Sequence, residues 1–223
     1  MPTQKLLLFA RYPRLGQVKT RLVSRLTKSG CFQLHLALML DTVDRTRHLD
    51  AERYLYLAGC SQQEAQDFVE QHSLDNVQIG IQHGLDLGER MWNAYTEVHS
   101  SQDRIIFLGA DSPSVPLSYI RTAFEILMRV SVVVGPADDG GYILLGLSQP
   151  NHEIFSDIAW GSSEVWSQTL AKLSKQTYEV LPKWYDIDRE EDLYRLAVDL
   201  RKEFEGYPKR TRSFFKKWGI SST

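Results

Sequence analysis

Six short apolar runs punctuate the chain: KLLLFA (5–10), RYLYLA (53–58), VQIGIQ (77–82), RIIFLG (104–109), VSVVVG (130–135) and YILLGL (142–147). Strands that are continuously apolar rather than alternating are covered on both faces, and helical crossovers make their neighbours parallel. The intervening FQLHLALMLDTVDRTRHL and SYIRTAFEILMRV place apolar residues at three- and four-residue spacing, as crossover helices do. One pair breaks the alternation. Only a short loop joins 130–135 to 142–147, whereas parallel neighbours need a crossover of about a dozen residues or more. The pattern predicts an α/β fold with a mixed, mostly parallel sheet flanked by helices on both faces, irregular near loop 136–141.

Length bounds the organisation: 223 residues suit one domain, placed at 1–205, with a basic aromatic tail at 206–223 (YPKRTRSFFKKW and its flanks). The tail reads as a docked helix, a frayed end, or a contact for a membrane surface or acidic partner. LLLFA and VSVVVG are too short to span a bilayer, so no transmembrane segment is expected. LLLFA runs into Arg11 without a small-residue cleavage site, unlike a signal peptide. Cys31 and Cys60, with no CxxC pair, argue against a disulfide framework or zinc knuckle and for buried thiols in the cytoplasm.

Charge is segregated. Residues 1–40 carry seven Lys/Arg and no acid, residues 206–223 carry five and no acid, and the stretch between them holds the balance, −14 against an overall −2. Basic ends facing an acidic middle suit a phosphate with a divalent metal; a solvated basic helix face is the alternative.

In such sheets ligands sit beyond the carboxyl ends of the parallel strands, near a switch in strand order. That rule marks loops 11–20, 83–90, 110–116 and 136–141. In the first, Pro13 and Gly16 punctuate a turn, Thr20 is placed to cap a helix, and Arg14, Lys19 and Arg21 form an anion cradle. Neither GxxxxGK[ST] nor GxGxxG is present. Asp111 of GADSP would emerge at the end of the fourth run, as a Mg²⁺ or Mn²⁺ ligand or as an ordinary turn residue. Alternation in YDID puts Asp186 and Asp188 on one face, with Glu190, Glu191 and Asp192 opening a helix. Gly84 and Gly88 flank Asp86, which either caps the next helix or borders a ligand. Trp160 stacks on a base or sugar, or is buried beside a helix capped by Ser162 or Ser163.

Taken in order, FARYPRLGQVKTRL, GLDLGERM, GADSP, GPADDGGYILLGL, WGSSEV and DIDREEDL resemble a bacterial family of glycosyltransferase-like proteins. These have a GT-A-like, nucleotide-diphospho-sugar transferase fold and are called the radical-SAM/selenodomain-associated transferases. More distantly the chain is similar to 2-phospholactate and molybdenum-cofactor guanylyltransferases. The resemblance covers roughly residues 5 to 200, although DREEDL stands where the family form is DTPEDL and the GxGxR loop of sugar nucleotidyltransferases is missing.

The resemblance implies that Gly16, Lys19 and Arg21 bind the nucleotide's phosphates, and Arg14, Gly84, Asp86 and Gly88 join the nucleotide site by their place in the loops. By the resemblance Asp111 and Asp188 would hold Mg²⁺ or Mn²⁺, and Asp139, Gly140 and Gly141 would line the substrate side. The two glycines would do so by permitting positive φ and close approach of backbone to ligand. Asp111 and Asp139 are the catalytic candidates, Tyr142 and Trp160 join the substrate side, and Asp138 either joins it or only sets the turn. The expected partners are a nucleotide or nucleotide-sugar and an unidentified acceptor, with no nucleic acid. Three readings stay open: glycosyl transfer, nucleotidyl transfer with release of pyrophosphate, and nucleotide binding without turnover.

Overall fold

The computed structural model describes residues 3–202, 206 and 208–221. The six apolar runs become β1 (Gln4–Arg11), β2 (Glu52–Ala58), β3 (Gln78–Ile81), β4 (Arg104–Gly109), β5 (Val132–Pro136) and β6 (Tyr142–Leu147). β7 (Tyr178–Val180) was not predicted; three residues are too few to show a period. The sheet order is β3-β2-β1-β4-β6-β5-β7. β6 runs antiparallel to both β4 and β5, and every other pairing is parallel. The reversed strand is the one that the short 136–141 loop requires.

Helices α1 (Val23–Thr46), α2 (Gln62–His72) and α4 (Leu117–Ile126) cover one face of the sheet, and α3 (Leu87–Val98) and α5 (Val165–Lys172) the other. Alternate residues of each strand serve the two cores: Leu6 and Leu8 of β1 face α1, while Leu7 packs with Met91 and Tyr95 of α3. The pattern places the start of α1 near Phe32, but the helix begins at Val23, with a break at Thr27 (φ 58°, ψ 168°). A β-branched residue rarely adopts that backbone, which explains why periodicity stops there.

A third core joins α1 to α6 (Glu190–Asp199) and α7 (Lys209–Trp218) through Leu34, Leu38, Leu196, Phe214 and Phe215. The stretch read as a basic aromatic tail thus contains a docked helix; residues 203–205, at the boundary placed at 205, and Tyr207 and 222–223 lie outside those described. A Cβ at Gly30 would stand 2.6 Å from the Trp218 ring, so glycine there lets α7 approach α1. The buried Asp41 of α1 accepts hydrogen bonds from the backbone N–H of Arg210 (3.2 Å) and Thr211 (2.7 Å) at the start of α7. Burial pushes its carboxyl above the usual range, and these N–H groups oppose that shift. Cys31 is buried and Cys60 half-buried; both are free thiols. Among the described residues no helix is long and apolar enough to cross a membrane.

Candidate active site

Beyond the carboxyl end of β1 the chain turns through Gly16 (φ 78°) and Lys19 (φ 49°) into a short 3-10 helix, Thr20–Leu22, and then α1. Thr20 does not cap it: Lys19 holds the cap position and no side-chain oxygen reaches the first N–H groups. The Lys19 side chain is only 5% exposed, and its Nζ lies 2.8 Å from Asp111 Oδ2 and 3.2 Å from Asp188 Oδ1. Arg21 Nη1 stands 3.4 Å from Asp188 Oδ2. A lysine in a left-handed backbone between two carboxylates is a costly arrangement, the kind retained at functional sites.

Asp111 follows β4 and sits on the cleft floor. Under it lies His35 of α1, 2% exposed, whose Nε2 is 2.8 Å from the Arg11 carbonyl. That oxygen can only accept, so Nε2 carries hydrogen and Nδ1 faces Asp111 Oδ1 at 3.2 Å, without hydrogen-bond alignment. Burial alone would raise the Asp111 pKa, but Lys19 and His35 outweigh it and hold the carboxyl far below the usual range. Lys19 is shifted upward: its desolvation is outweighed by Asp111 and Asp188.

The segment carrying Asp186 and Asp188 is aligned by long-range bonds. Trp184 bridges Ala137 in parallel beyond the end of β5, donating to Pro136 O (3.0 Å) and accepting from Asp138 N (3.1 Å). Tyr185 donates to Asp199 of α6 at 2.5 Å, and Asp192 accepts from the N–H groups of Asp188 and Arg189. As alternation predicts, both aspartates face the cleft. Asp186 is half-buried, with Ser112 Oγ 3.4 Å away, and its pKa rises to about 7, chiefly by desolvation. Lys19 opposes the rise; Asp111, Asp139 and Asp188 add to it.

Two cavities meet at these groups. One, about 450 Å³, is lined by Lys19, Arg21, His35 and Asp111; the other, about 420 Å³, by Asp139, Gly141, Tyr142, Trp160 and Leu87. Arg21, Tyr142, Asp186 and Asp188 belong to both. Trp160 meets Tyr142 edge to face at 6.2 Å and is half-buried rather than sealed in the core. Ser162 and Ser163 do not cap α5; Ser162 Oγ accepts from Glu164 N within the preceding turn.

The ADDGG loop divides its labour. Asp138 forms an ion pair with Arg195 of α6 at 2.5 Å. Asp139 Oδ1 accepts from Gly141 N at 2.9 Å and its carboxyl borders the second cavity. Gly140 is at φ 91°, and a Cβ there would stand 2.3 Å from Ser163 O. The close backbone approach that glycine permits is therefore to Ser163.

Other sequence-chosen residues lie outside the cavity linings. Arg14 pairs with Glu64 at 2.7 Å and bonds Gly59 O. Asp86 caps α3, accepting from Glu89 N at 2.8 Å. Gly84 packs on Glu89 and Arg90, and Gly88 on Phe155 O and the Trp160 indole; Leu87 is the member of that loop that reaches the cleft. His35 was not among the residues marked by the sequence, and Asp186 was marked without a role of its own. His35 looks like any histidine in an apolar helix run, and Asp186 had only the YDID alternation to mark it.

Hard divalent ions prefer carboxylate oxygens, and Asp111, Asp139, Asp186 and Asp188 converge against Lys19 and Arg21. Asp111 Oδ1 is buried without a hydrogen-bond partner. Among the described residues no three such side chains are already grouped as a ligand set; Lys19 Nζ bridges Asp111 and Asp188 instead. The donor chemistry fits Mg²⁺ or Mn²⁺, with Lys19 yielding its place.

A stability prediction arises here. The raised Asp186 pKa means the metal-free fold is most favoured with this carboxyl protonated. That contribution is full below its ordinary pKa of 3.8 and is lost as pH rises through about 7. Asp186→Asn is expected to stabilise the metal-free protein at pH 8 by roughly 2–4 kcal/mol, one pKa unit being about 1.4 kcal/mol, and to leave it unchanged near pH 4. Thermal melts of both proteins across pH check this; equal melting at pH 8 would refute it.

Solved structures share the fold of the chain. A Desulfovibrio desulfuricans G20 protein named "putative nucleotide-diphospho-sugar transferase" has a solved structure 25% identical to the chain, covering 98% of this chain and 99% of its own, with a TM-score of 0.86. A cytidylyltransferase from Leptospira borgpetersenii is 12% identical over 100% and 98%, TM-score 0.61. The Mycobacterium tuberculosis protein Rv0371c, solved with manganese, is 18% identical over 88% and 98%, TM-score 0.56. These last two share the fold. No curated protein matches. Residues 40–162, which include Asp111 and the ADDGG loop but not Lys19 or Asp188, match one family over more than half the chain, and the chain belongs to it: the family described as uncharacterized protein conserved in bacteria (DUF2064).

Proposed function

We propose that the chain is a metal-dependent transferase that uses a nucleotide-activated sugar. The observation that carries this reading is the meeting of Lys19 and Arg21 with Asp111, Asp186 and Asp188 at the carboxyl edge of the sheet, beside a second cavity floored by Tyr142 and Trp160. The similarity to the Desulfovibrio protein supports it, as does the sequence resemblance to the radical-SAM/selenodomain-associated transferases.

In this reading the first cavity takes the donor, with its diphosphate against Lys19 and Arg21. Asp111 and Asp188, with Asp186 beside them, would hold Mg²⁺ or Mn²⁺, which would supply charge neutralisation at the diphosphate oxygens. Lys19 and Arg21 stabilise the negative charge that grows on the leaving phosphate. Asp139, at the junction with the second cavity, takes the proton from the acceptor hydroxyl. The acceptor rests against Trp160 and Tyr142. The free thiols Cys31 and Cys60 fit a reducing cytoplasm.

A second reading is transfer of a nucleotidyl group from an NTP to a phosphorylated acceptor. It is supported by the fold shared with the Leptospira cytidylyltransferase; Lys19 beside Asp111 and Asp188 serves either reading. Products separate the two. Incubation of nucleotide sugars, guanine forms first, with Mn²⁺ and candidate hydroxyl acceptors is expected to release nucleoside diphosphate; release of pyrophosphate from an NTP plus a phosphorylated acceptor would establish the second reading. If no nucleotide or nucleotide sugar raises the melting temperature with Mn²⁺, both fail, since a ligand of the native state stabilises it by mass action.

A further inference from the structure

His35 is a buried polar group that the chemistry above leaves without a task. It lies on α1 among apolar neighbours, 2% exposed, and lines the first cavity. A histidine settled into a core has both ring nitrogens satisfied; here only one is. Nε2 donates to the Arg11 carbonyl at 2.8 Å, which fixes the tautomer and leaves a lone pair on Nδ1. Nδ1 is buried without a hydrogen-bond partner, and so is Asp111 Oδ1, 3.2 Å away. Among the described residues Asp111 Oδ1 is the one carboxylate oxygen in that state. Two electron-rich atoms thus face each other in a buried space, a costly pairing that an electron-poor partner relieves.

A proton does not fit there. A hydrogen on Nδ1 would point aside from Oδ1, so the contact is close without being a hydrogen bond. That offset is what two neighbouring ligands of one cation require. At octahedral bond lengths of about 2.1 Å, adjacent ligand atoms stand about 3 Å apart and each lone pair points off the line joining them. A ring N–H on a backbone carbonyl is also the usual outer contact of a metal-bound imidazole, holding the ring at a set angle. Asp111 divides its oxygens accordingly: Oδ2 meets Lys19 Nζ at 2.8 Å, and Oδ1 is turned to His35.

We infer that His35 is a ligand of the metal, through Nδ1 beside Asp111 Oδ1, and that this nitrogen makes the site select Mn²⁺ over Mg²⁺. This role rests on the metal-dependent reading above and adds to it a nitrogen ligand and the identity of the ion. Mg²⁺ keeps to oxygen ligands and sheds water reluctantly, whereas first-row transition ions accept imidazole. Asp188, paired with Lys19 in the metal-free protein, supplies a further carboxylate when the ammonium yields.

The test uses metal alone on the full chain, so that no nucleotide nitrogen enters the reading. Calorimetric titration of the parent, and of Lys19→Met where the competing ammonium is gone, should show Mn²⁺ bound at least about tenfold more tightly than Mg²⁺. Electron spin echo spectra of the bound Mn²⁺ should show a directly coupled nitrogen. Labelling histidine alone with ¹⁵N should shift that coupling, a reading that needs no variant. A glutamine amide reaches the Nε2 position and an asparagine amide the Nδ1 position. His35→Gln, which keeps a donor for the Arg11 carbonyl, should lose the nitrogen signal and at least about tenfold in Mn²⁺ affinity, with Mg²⁺ changed less. His35→Asn, with an oxygen in place of Nδ1, should still bind Mg²⁺ while the preference for Mn²⁺ collapses. A nitrogen signal that survives in His35→Gln, or Mn²⁺ binding there equal to the parent's, would overturn the proposal and leave the transferase reading standing. No Mn²⁺ binding in either the parent or Lys19→Met would overturn both. Nitrogen-bound Mn²⁺ without a response to any nucleotide or nucleotide sugar would uphold the ligand and sink the transferase reading.

Discussion

Lys19→Met is expected to abolish the nucleotide-dependent rise in melting temperature and to lower turnover by about 10²–10³-fold, the usual cost of losing one preorganised charge partner. Its ammonium is buried between Asp111 and Asp188, so the side chain is already ordered and desolvated before any ligand arrives. The same substitution should act oppositely on metal. With Lys19 gone, Asp111 and Asp188 lose their bridging cation, and Mn²⁺ alone should stabilise the variant more than it stabilises the parent protein. A merely structural lysine would give the reverse: loss of stability that neither metal nor nucleotide restores. Lys19→Arg should keep the ion pairs but not restore full turnover, because the bulkier guanidinium spreads its charge over a fork where the buried site holds a compact ammonium. Calorimetric titration of Mn²⁺, then of nucleotide, reads both effects, and weaker metal binding in Lys19→Met would sink the assignment.

Gly140→Ala is the second large effect, on the fold. Its φ of 91° is strained for any L side chain, and the new Cβ would meet the Ser163 carbonyl oxygen at 2.3 Å. Backbone cost and overlap together should destabilise the protein by about 3 kcal/mol, lowering the melting temperature by roughly 6–12 °C for a chain this size. Gly59→Ala supplies the control: its φ is 82°, but nothing lies within 4 Å of the added carbon, so only the backbone cost of about 1 kcal/mol remains. Equal losses in the two variants would show that the contact with Ser163 is unimportant. Because Ser163 borders the Trp160 cavity, Gly140→Ala should also weaken acceptor binding more than donor binding.

Local chemistry made much of this legible. Continuous apolar runs identified six of seven strands, and the short 136–141 connection required the one reversed strand. Asp111 could be placed because it follows the fourth apolar run directly, and Asp192 because a carboxylate belongs in the first turn of a helix. What escaped was set by partners distant in sequence. Gly140 was read as making room for a ligand, whereas its tight neighbour is Ser163. Arg14 counted as an anion-binding residue because it lies near Lys19, but Glu64 draws it away. His35 becomes part of the site only when α1 is laid beneath β4, and nothing in FQLHLALML marks it. The rise in the Asp186 pKa comes chiefly from burial that only the packed cleft creates, with Asp111 and Asp139 adding to it from two distant segments.

The bond between Asp41 and Thr211 spans 170 residues and makes the closing of one core conditional on it. The fold buries this α1 carboxyl, and the two backbone N–H groups at the start of α7 offset that burial. The sheet includes no part of α7, so it is the face of α1 receiving Phe214 and Phe215, and not the sheet, whose sealing rests on a cap from the far side of the sequence.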